Sequence, residues 1–461
     1  MEHWLLRAAA MHPLRVALAG SSGAVTYAEL VARALAMAGG LHERGVEPGD
    51  RVALAIGPGE ELVAALHGCL LAGAIAVPID LRLGPAERAA RSQGAVLSLQ
   101  EPLGAPALTA GHGDAASQEP PRPTAAAVTP LALDRVAVVM HTSGTTSRPR
   151  AIELRYGNWL AGALGSAVAL GLDGDERWLC PLPLAHVGGL SIAIRSAVYG
   201  TTAVLHERFD AERVVGALMD RAARITLVSL VPTMLARLLD AGLNDPPTLR
   251  WALLGGGPIA PALLRRAREA GVPVAPSYGM TEGCSQIATN GWALPGVEVR
   301  VAPDGEVLVR GATIASGSLA SDGWLHTGDL GALDERGRLA ISGRRADTIV
   351  TGGENVAPVE VEEALLEHPA VAEAAVFGRP DPEWGEAIVA SVVLRGCAGP
   401  GAGDRRAVGE EELLAHCATR LAGFKVPKAV GFVDRLPRTA TGKLLRRELG
   451  RERCGARFPA G

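Results

Sequence analysis

Residues 141–150 read HTSGTTSRPR, in which Thr142, Ser143, Thr145, Thr146 and Ser147 place five hydroxyls around Gly144, with Arg148 and Arg150 close behind. A packed core has no use for such a run, because every buried hydroxyl needs a partner. It suits a polyanion instead. The glycine lets backbone N–H groups approach, the hydroxyls donate to phosphate oxygens, and the arginines offset the charge. The GxxxxGK[ST] order of a Walker loop is absent. A solvated surface turn has the same composition, so the segments around it must decide. A second signal is scarcity: among 45 basic residues only Lys425, Lys428 and Lys443 are lysines, so each invites a question of its own.

The elements that would carry these residues alternate. TYAELVARALAMAGGLHERG opens with a T-x-x-E capping box (Thr26, Glu29) and keeps helical spacing to Gly45. RVALAI follows as a buried strand, EELVAALHGCLLAG as a helix and IAVPI as a strand. Residues 100–130, rich in Pro, Gly, Ala and Thr, read as a surface loop or linker. VAVVM (136–140) is a strand that delivers the chain into HTSGTTSRPR, and four further helix–strand pairs run to LRWALLGGG. This alternation predicts an α/β fold of doubly wound sheets, whose ligands gather at the carboxyl ends of the strands. After about residue 295 short strands (VEVRV, EVLVRG, RLAISG) predict a small β-rich subdomain. Beyond GRRAD (343–347) a compact α+β unit begins, which places a domain boundary between 345 and 346.

Composition narrows the class. With 461 residues, 48% hydrophobic and 20% charged, the chain is expected to be globular and long enough for several domains. A net charge of −4 gives no reason to expect nucleic acid or an acidic membrane surface. Cys69, Cys180, Cys284, Cys397, Cys417 and Cys454 form no CxxC pair, which predicts reduced thiols in the cytoplasm and neither a disulfide framework nor a zinc site. The N-terminal residues show no signal-peptide pattern. Residues 62–79 are almost wholly apolar, but their two periodicities predict a buried helix running into a buried strand, with no membrane span.

HTSGTTSRPR resembles the signature loop of the adenylate-forming superfamily, which includes acyl-CoA synthetases, adenylation domains and luciferases. LLGGGP (253–258), SYGMTEG (277–283), WLHTGDL (324–330), GRRADTIVTGGENVAPVEVE (343–362) and LPRTATGKLLR (436–446) resemble the family's further motifs, in order over nearly the whole chain. The resemblance implies a large N-terminal nucleotide- and acyl-binding domain (1–345) and a mobile C-terminal lid (346–461). It implies ATP, Mg²⁺ and coenzyme A, with a small carboxylic acid as substrate, and it is compatible with a homodimer. Thr142, Ser143, Gly144, Thr145, Thr146 and Arg150 would hold the triphosphate. Gly256, Gly257, Tyr278, Gly279 and Thr281 would form the adenine site, and Asp329 with Arg344 would hold the ribose. Glu282 would ligate Mg²⁺, a hard ion that prefers oxygen. Lys443 would neutralise charge during adenylation. Gly352 and Gly353 would lie in the loop that accepts CoA, and Ala346 occupies the hinge position.

Several positions depart from the family pattern. Ser147 stands for the usual glycine, Arg150 for lysine and Ala346 for the usual Asp or Lys, and residues 286–297 form a shorter stretch than in many relatives. For the acid, the stretch LPLAHVGGLSIAIRSAVYG (182–200) lacks the aspartate that pairs an amino-acid substrate's ammonium. Aromatic residues make up 3% of the chain, which argues against a long-chain acyl channel. DERWLCPLPLAHVGGLSIAIRSAVYGTTAVLH and SYGMTEGCSQIAT resemble the 2-succinylbenzoate–CoA ligases of menaquinone synthesis more than general acyl-CoA ligases. In the family the position of His186 lies where acyl and thiol sites meet, which makes it a catalytic and substrate-binding candidate, a core histidine being the alternative. Arg195, in an otherwise apolar helix, lies beside the expected acyl pocket, which Ser285 and Gln286 would also line. Arg195 would meet a second substrate carboxylate; a helix arginine reaching for solvent or a partner acid is the ordinary alternative. A general aryl- or medium-chain acyl-CoA synthetase and a stand-alone adenylation module that loads a carrier protein are the competing functions.

Overall fold

The computed structural model describes residues 1–104, 128–142, 150–395, 408–438 and 444–449. It divides into two compact units: residues 1–256, 270–298 and 309–325 form the first, and 257–269, 299–308 and 326–461 the second.

The first unit carries two sheets. One runs in spatial order Leu97–Leu99, Arg51–Leu54, Ile75–Pro78, Val136–Thr142 and Arg150–Arg155. Its first four strands are parallel and the last is antiparallel. The other has nine strands, in the order Trp292–Ala293, Ser285–Thr289, Val274–Met280, Trp251–Leu254, Leu227–Leu230, Arg177–Cys180, Thr202–Leu205, Val16–Gly20 and Gly23–Thr26. Its inner six strands are parallel, and antiparallel hairpins finish both edges. The predicted alternation therefore holds for the sheet interiors, while the hairpin partners Arg150–Arg155 and Ser285–Thr289 depart from it.

Helices form where the sequence marks them. Tyr27–Glu43 starts at the predicted capping box, in which the Glu29 amide donates to the Thr26 hydroxyl at 3.3 Å and the Thr26 amide to the Glu29 carboxylate at 2.7 Å. It packs on Glu60–Ala72, where a Cβ at Gly68 would lie 2.3 Å from the Met37 side chain, so the bare glycine sets the approach. Leu41, Leu66 and Leu71 are fully buried around this contact, each contributing about 1.5–3 kcal/mol over an exposed position. Glu60–Ala72 and the following strand Ile75–Pro78 account for the apolar run at 62–79. No helix among the described residues is long and apolar enough to cross a membrane. Cys69, Cys180, Cys284 and Cys417 are free and buried; Cys397 and Cys454 lie outside the described residues.

The second unit contains a four-stranded sheet (Val297–Val301, Glu306–Gly311, Leu325–Leu333, Leu339–Arg344) and a five-stranded one. In the latter, Glu354–Val356, Ile349–Thr351, Gly385–Leu394 and Val371–Asp381 lie side by side, and Ala429–Phe432 pairs with Gly385–Leu394 in parallel. Its core joins Ile349, Val376 and Ile388 to Val361 and Leu365 of helix Pro358–Leu366 and Leu413 of helix Glu410–Ala418.

Candidate active site

In the first unit the expected residues fall at strand ends, as a doubly wound sheet requires. Thr142 closes its strand opposite Arg150, and its hydroxyl donates to the Arg150 carbonyl at 3.5 Å. The two ends of the phosphate-loop segment are thus in register, while Ser143, Gly144, Thr145 and Thr146 lie outside the described residues.

After strand Trp251–Leu254, Gly256 adopts φ +81°, a left-handed conformation that favours glycine. Gly257 is grouped with the second unit. Tyr278 and Gly279 lie in strand Val274–Met280, where a bulge separates them. A Cβ on Gly279 would stand 1.7 Å from the Ser285 carbonyl oxygen, so no other residue fits there. Thr281 and Glu282 form a 3₁₀ turn with Gly283. The Glu282 carbonyl accepts from the Ala315 amide at 2.8 Å. Its carboxylate makes no hydrogen bond or ion pair with another described residue, leaving hard oxygen donors for a cation.

Cys284 and Ser285 then take φ of 52° and 88°, two successive left-handed non-glycine residues that store strain at the edge of the site. Gln286 is buried; its side-chain N–H donates to Thr289 Oγ1 at 2.9 Å and its Oε1 has no partner. The short 286–297 stretch is a tight hairpin, with Thr289 opposite Trp292 and Asn290–Gly291 at φ 54° and 81°.

His186 is the N-cap of helix Val187–Tyr199. The turn before it closes tightly, since a Cβ on Gly189 would meet the Pro183 carbonyl oxygen at 2.4 Å. His186 Nε2 lies 3.0 Å from Asp80 Oδ2. Asp80 also binds Arg82 through Nε at 2.8 Å and Nη2 at 2.6 Å. Burial pushes the Asp80 carboxyl up, but the hydrogen bonds from Arg82 and His186 outweigh it and hold the group well below the usual carboxylate range. Sequence reasoning missed this pair. The strand signal ends with IAVPI, and nothing local ties Asp80 to a histidine 106 residues away.

Arg195 does not take the ordinary alternative of reaching solvent or a partner acid. It is 2% exposed, its two terminal nitrogens have no hydrogen-bond partner, and its guanidinium lies over the Trp178 ring at 5.7 Å. Burial pulls its pKa below the ordinary arginine value, against the opposing influence of Tyr199 and Cys284. A charge so placed is costly unless something pairs it.

In the second unit Asp329 and Arg344 face each other across two antiparallel strands, and Arg344 Nε meets Asp329 Oδ1 at 2.7 Å. Asp329 is buried and Arg344 half-buried. Ala346 is exposed in the 3₁₀ turn Arg345–Asp347. Gly352 and Gly353, at φ 58° and 83°, make the two-residue turn between Ile349–Thr351 and Glu354–Val356.

Beside that turn, Trp384 lies 3.1 Å from a Cβ built on Gly352, and Lys428 Nζ sits 4.3 Å over the Trp384 ring. Trp384 carries no sequence signal, and Lys428 is marked only by the scarcity of lysine. Lys425 pairs with Glu360 at 2.6 Å, and Lys443 lies outside the described residues. Three residues on, Arg446 is anchored by Glu362 Oε2 at 3.0 Å and by Asp347 at 3.3 Å.

Comparison with known proteins identifies the family. Residues 5–319 match the AMP-binding enzyme family, and residues 360–443 match the AMP-binding enzyme C-terminal domain. The chain is 38% identical to the 2-succinylbenzoate–CoA ligase of Bacillus licheniformis, over 97% of this chain and 100% of the relative. It superposes with a TM-score of 0.84 on the o-succinylbenzoate CoA synthetase (MenE) of Bacillus subtilis in complex with the acyl-adenylate intermediate OSB-AMP, at 35% identity over 98% of both chains. The same B. subtilis enzyme in complex with ATP and magnesium ion gives a TM-score of 0.83 at 35% identity, over 97% of this chain and 99% of that one.

Proposed function

The chain belongs to the AMP-binding enzyme family, and from that premise we propose that it is an ATP-dependent acid–thiol ligase converting 2-succinylbenzoate to its CoA thioester in menaquinone biosynthesis. The observation that carries this reading is identity of 35–38% to 2-succinylbenzoate–CoA ligases over at least 97% of the chain. The buried, unpartnered guanidinium of Arg195 supplies a physical reason for a dicarboxylate.

The reaction has two steps. A substrate carboxylate attacks the α-phosphorus of ATP, forming an acyl-adenylate and releasing pyrophosphate. The CoA thiol then attacks the acyl carbonyl, and AMP leaves with the bonding pair.

Thr142, Ser143, Gly144, Thr145, Thr146 and Arg150 hold the phosphates. Tyr278 stacks on the adenine beside Gly256, Gly257, Gly279 and Thr281, and Asp329 accepts from the ribose hydroxyls with Arg344 as its partner. Glu282 would hold Mg²⁺, since its carboxylate is free of other described partners and Mg²⁺ takes one or two carboxylates along with substrate phosphates. Bound there, the ion would supply positive charge to the phosphates.

Lys443 stabilises the charge developing in the first step. The C-terminal lid, residues 346–461, then turns about Ala346 and brings the Gly352–Gly353 turn to the thiol, with Trp384 and Lys428 offering an aromatic face and a cation to the CoA nucleotide. Arg195 pairs the carboxylate that is not activated, with Ser285 and Gln286 beside it, and His186 stands at the reacting acyl group.

Pyrophosphate release across a panel of acids tests the substrate assignment. 2-Succinylbenzoate is expected to exceed phenyl-substituted monocarboxylates and medium-chain acids by at least about 10²-fold in kcat/KM. Comparable turnover of a monocarboxylate would instead make the enzyme a general aryl- or medium-chain acyl-CoA synthetase.

A further inference from the structure

We propose that Asp80 is the positioning residue for His186, fixing its orientation and its tautomer so that Nδ1 is presented to the reacting groups as a bare acceptor. This rests on the placement of His186 at the acyl site. Asp80 follows the parallel strand Ile75–Pro78 and is 5% exposed, so its carboxylate has protein partners in place of water.

Each oxygen is fully engaged. Oδ1 accepts from the Arg82 backbone amide at 3.1 Å and from Arg82 Nε at 2.8 Å. Oδ2 accepts from Arg82 Nη2 at 2.6 Å and meets His186 Nε2 at 3.0 Å. The Asp80–Arg82 fork would be a closed ion pair without the histidine. The imidazole is an addition to it, brought from the other sheet's loop 181–186.

The geometry selects the tautomer. Arg82 Nη2 is 3.3 Å from His186 Nε2, so a bare Nε2 could accept from the guanidinium. That arrangement would set the Nε2 lone pair against the carboxylate lone pairs at 3.0 Å. With a proton on Nε2, the shorter contact becomes a charge-assisted hydrogen bond, and the arginine keeps its two stronger bonds to Asp80. A neutral ring then has its only lone pair on Nδ1, which makes no hydrogen bond to any described residue. The His186 side chain is 31% exposed, so the ring is held at its Asp80 side and open elsewhere. A carboxylate that holds the far nitrogen of a working histidine is a recurring device, because it removes both rotation about the ring axis and the wrong tautomer.

The test uses the full chain with Asp80→Asn, Asp80→Ala, His186→Gln and the double variant Asp80→Asn/His186→Gln, each checked for folding by near-UV circular dichroism. In ¹⁵N-histidine-labelled protein, with the His186 resonances assigned by their loss in His186→Gln, the native ring should show the Nε2–H pattern. Asp80→Asn, whose amide can donate to Nε2, should move it toward Nδ1–H. Ligase kcat should fall at least about 10- to 100-fold in Asp80→Asn and Asp80→Ala, the range for removing the carboxylate that orients a metal-bound histidine, with KM for ATP unchanged. In the His186→Gln background, Asp80→Asn should cost nothing further, because it acts through the ring.

Additive losses, or an unchanged tautomer together with native kcat, would overturn the proposal while leaving an impaired His186→Gln intact. Native activity of His186→Gln in both half-reactions would overturn the placement of His186 itself, and the proposal with it.

Discussion

The Arg195 guanidinium has lost its water, and among the described residues its terminal nitrogens have no hydrogen-bond partner while the face of Trp178 lies 5.7 Å away. A cation–π contact is worth about 0.5–2 kcal/mol, which does not offset the several kcal/mol that burying an ion costs. The proposed partner is the second carboxylate of the diacid. Arg195→Ala should therefore cost about 2–5 kcal/mol in transition-state binding of 2-succinylbenzoate, the range for removing one partner of a buried pair. In kcat/KM that is roughly 30- to 4000-fold. A phenyl-substituted monocarboxylate should lose little, and KM for ATP should hold. Steady-state kinetics on both acids decides it, since equal losses would make Arg195 structural. The sequence marked Arg195 by its isolation among apolar neighbours, and that signal survived folding. It gave no such mark to Asp80 or Arg82, whose meaning depends on His186 of a distant loop. Trp384 was silent for a related reason: its role depends on Gly352 across a strand pairing that no local pattern announces.

At the scale of elements, the Glu60–Ala72 helix is buried on nearly every face, and it carries His67 inside, with Nε2 unpartnered. Burial pushes His67 from 6.5 down to about 4, with His3 adding to the effect. Between those two values the unfolded chain binds a proton that the folded chain refuses, so stability falls as pH falls through that window. From pH 6.5 to 5 the loss attributable to this residue is on the order of 1–2 kcal/mol. His67→Leu should flatten the pH dependence of Tm over that range; an unaltered slope would show that other groups set it. This helix, like Tyr27–Glu43 and Val187–Tyr199, was evident in the sequence because its length and spacing are purely local. The hairpins were not. ATNGWA and VTGGEN both carry a two-residue turn, Asn290–Gly291 and Gly352–Gly353, that favours a tight hairpin. In sequence the same residues also fit a shortened loop and a thiol-acceptor loop, and two residues alone do not fix which strands pair. Arg150–Arg155 was missed because five polar or charged positions before it drew attention to phosphate binding, while its pairing with Val136–Thr142 is an alternation too short to stand out.

At the scale of the whole molecule, the proposed scheme has one lid serve two reactions in turn, with Lys443 needed while pyrophosphate leaves and without a task when CoA attacks. Lys443→Ala should lower adenylate formation by about 10²–10³-fold and leave thioester formation from supplied acyl-adenylate largely intact. If both half-reactions fall together in a folded protein, the scheme of a turning lid is wrong. The α/β fold was legible in advance because its helix–strand alternation is local, whereas WLHTGDL, quoted as a motif, lies within the strand Leu325–Leu333. The most direct measurement is the product itself: 2-succinylbenzoate, MgATP and CoA are incubated with the enzyme and the mixture is resolved by mass. The predicted result is 2-succinylbenzoyl-CoA formed in step with AMP and pyrophosphate, and the acyl-adenylate alone when CoA is omitted. An adenylate that accumulates unchanged in the presence of CoA, or no product from this acid at all, would contradict it.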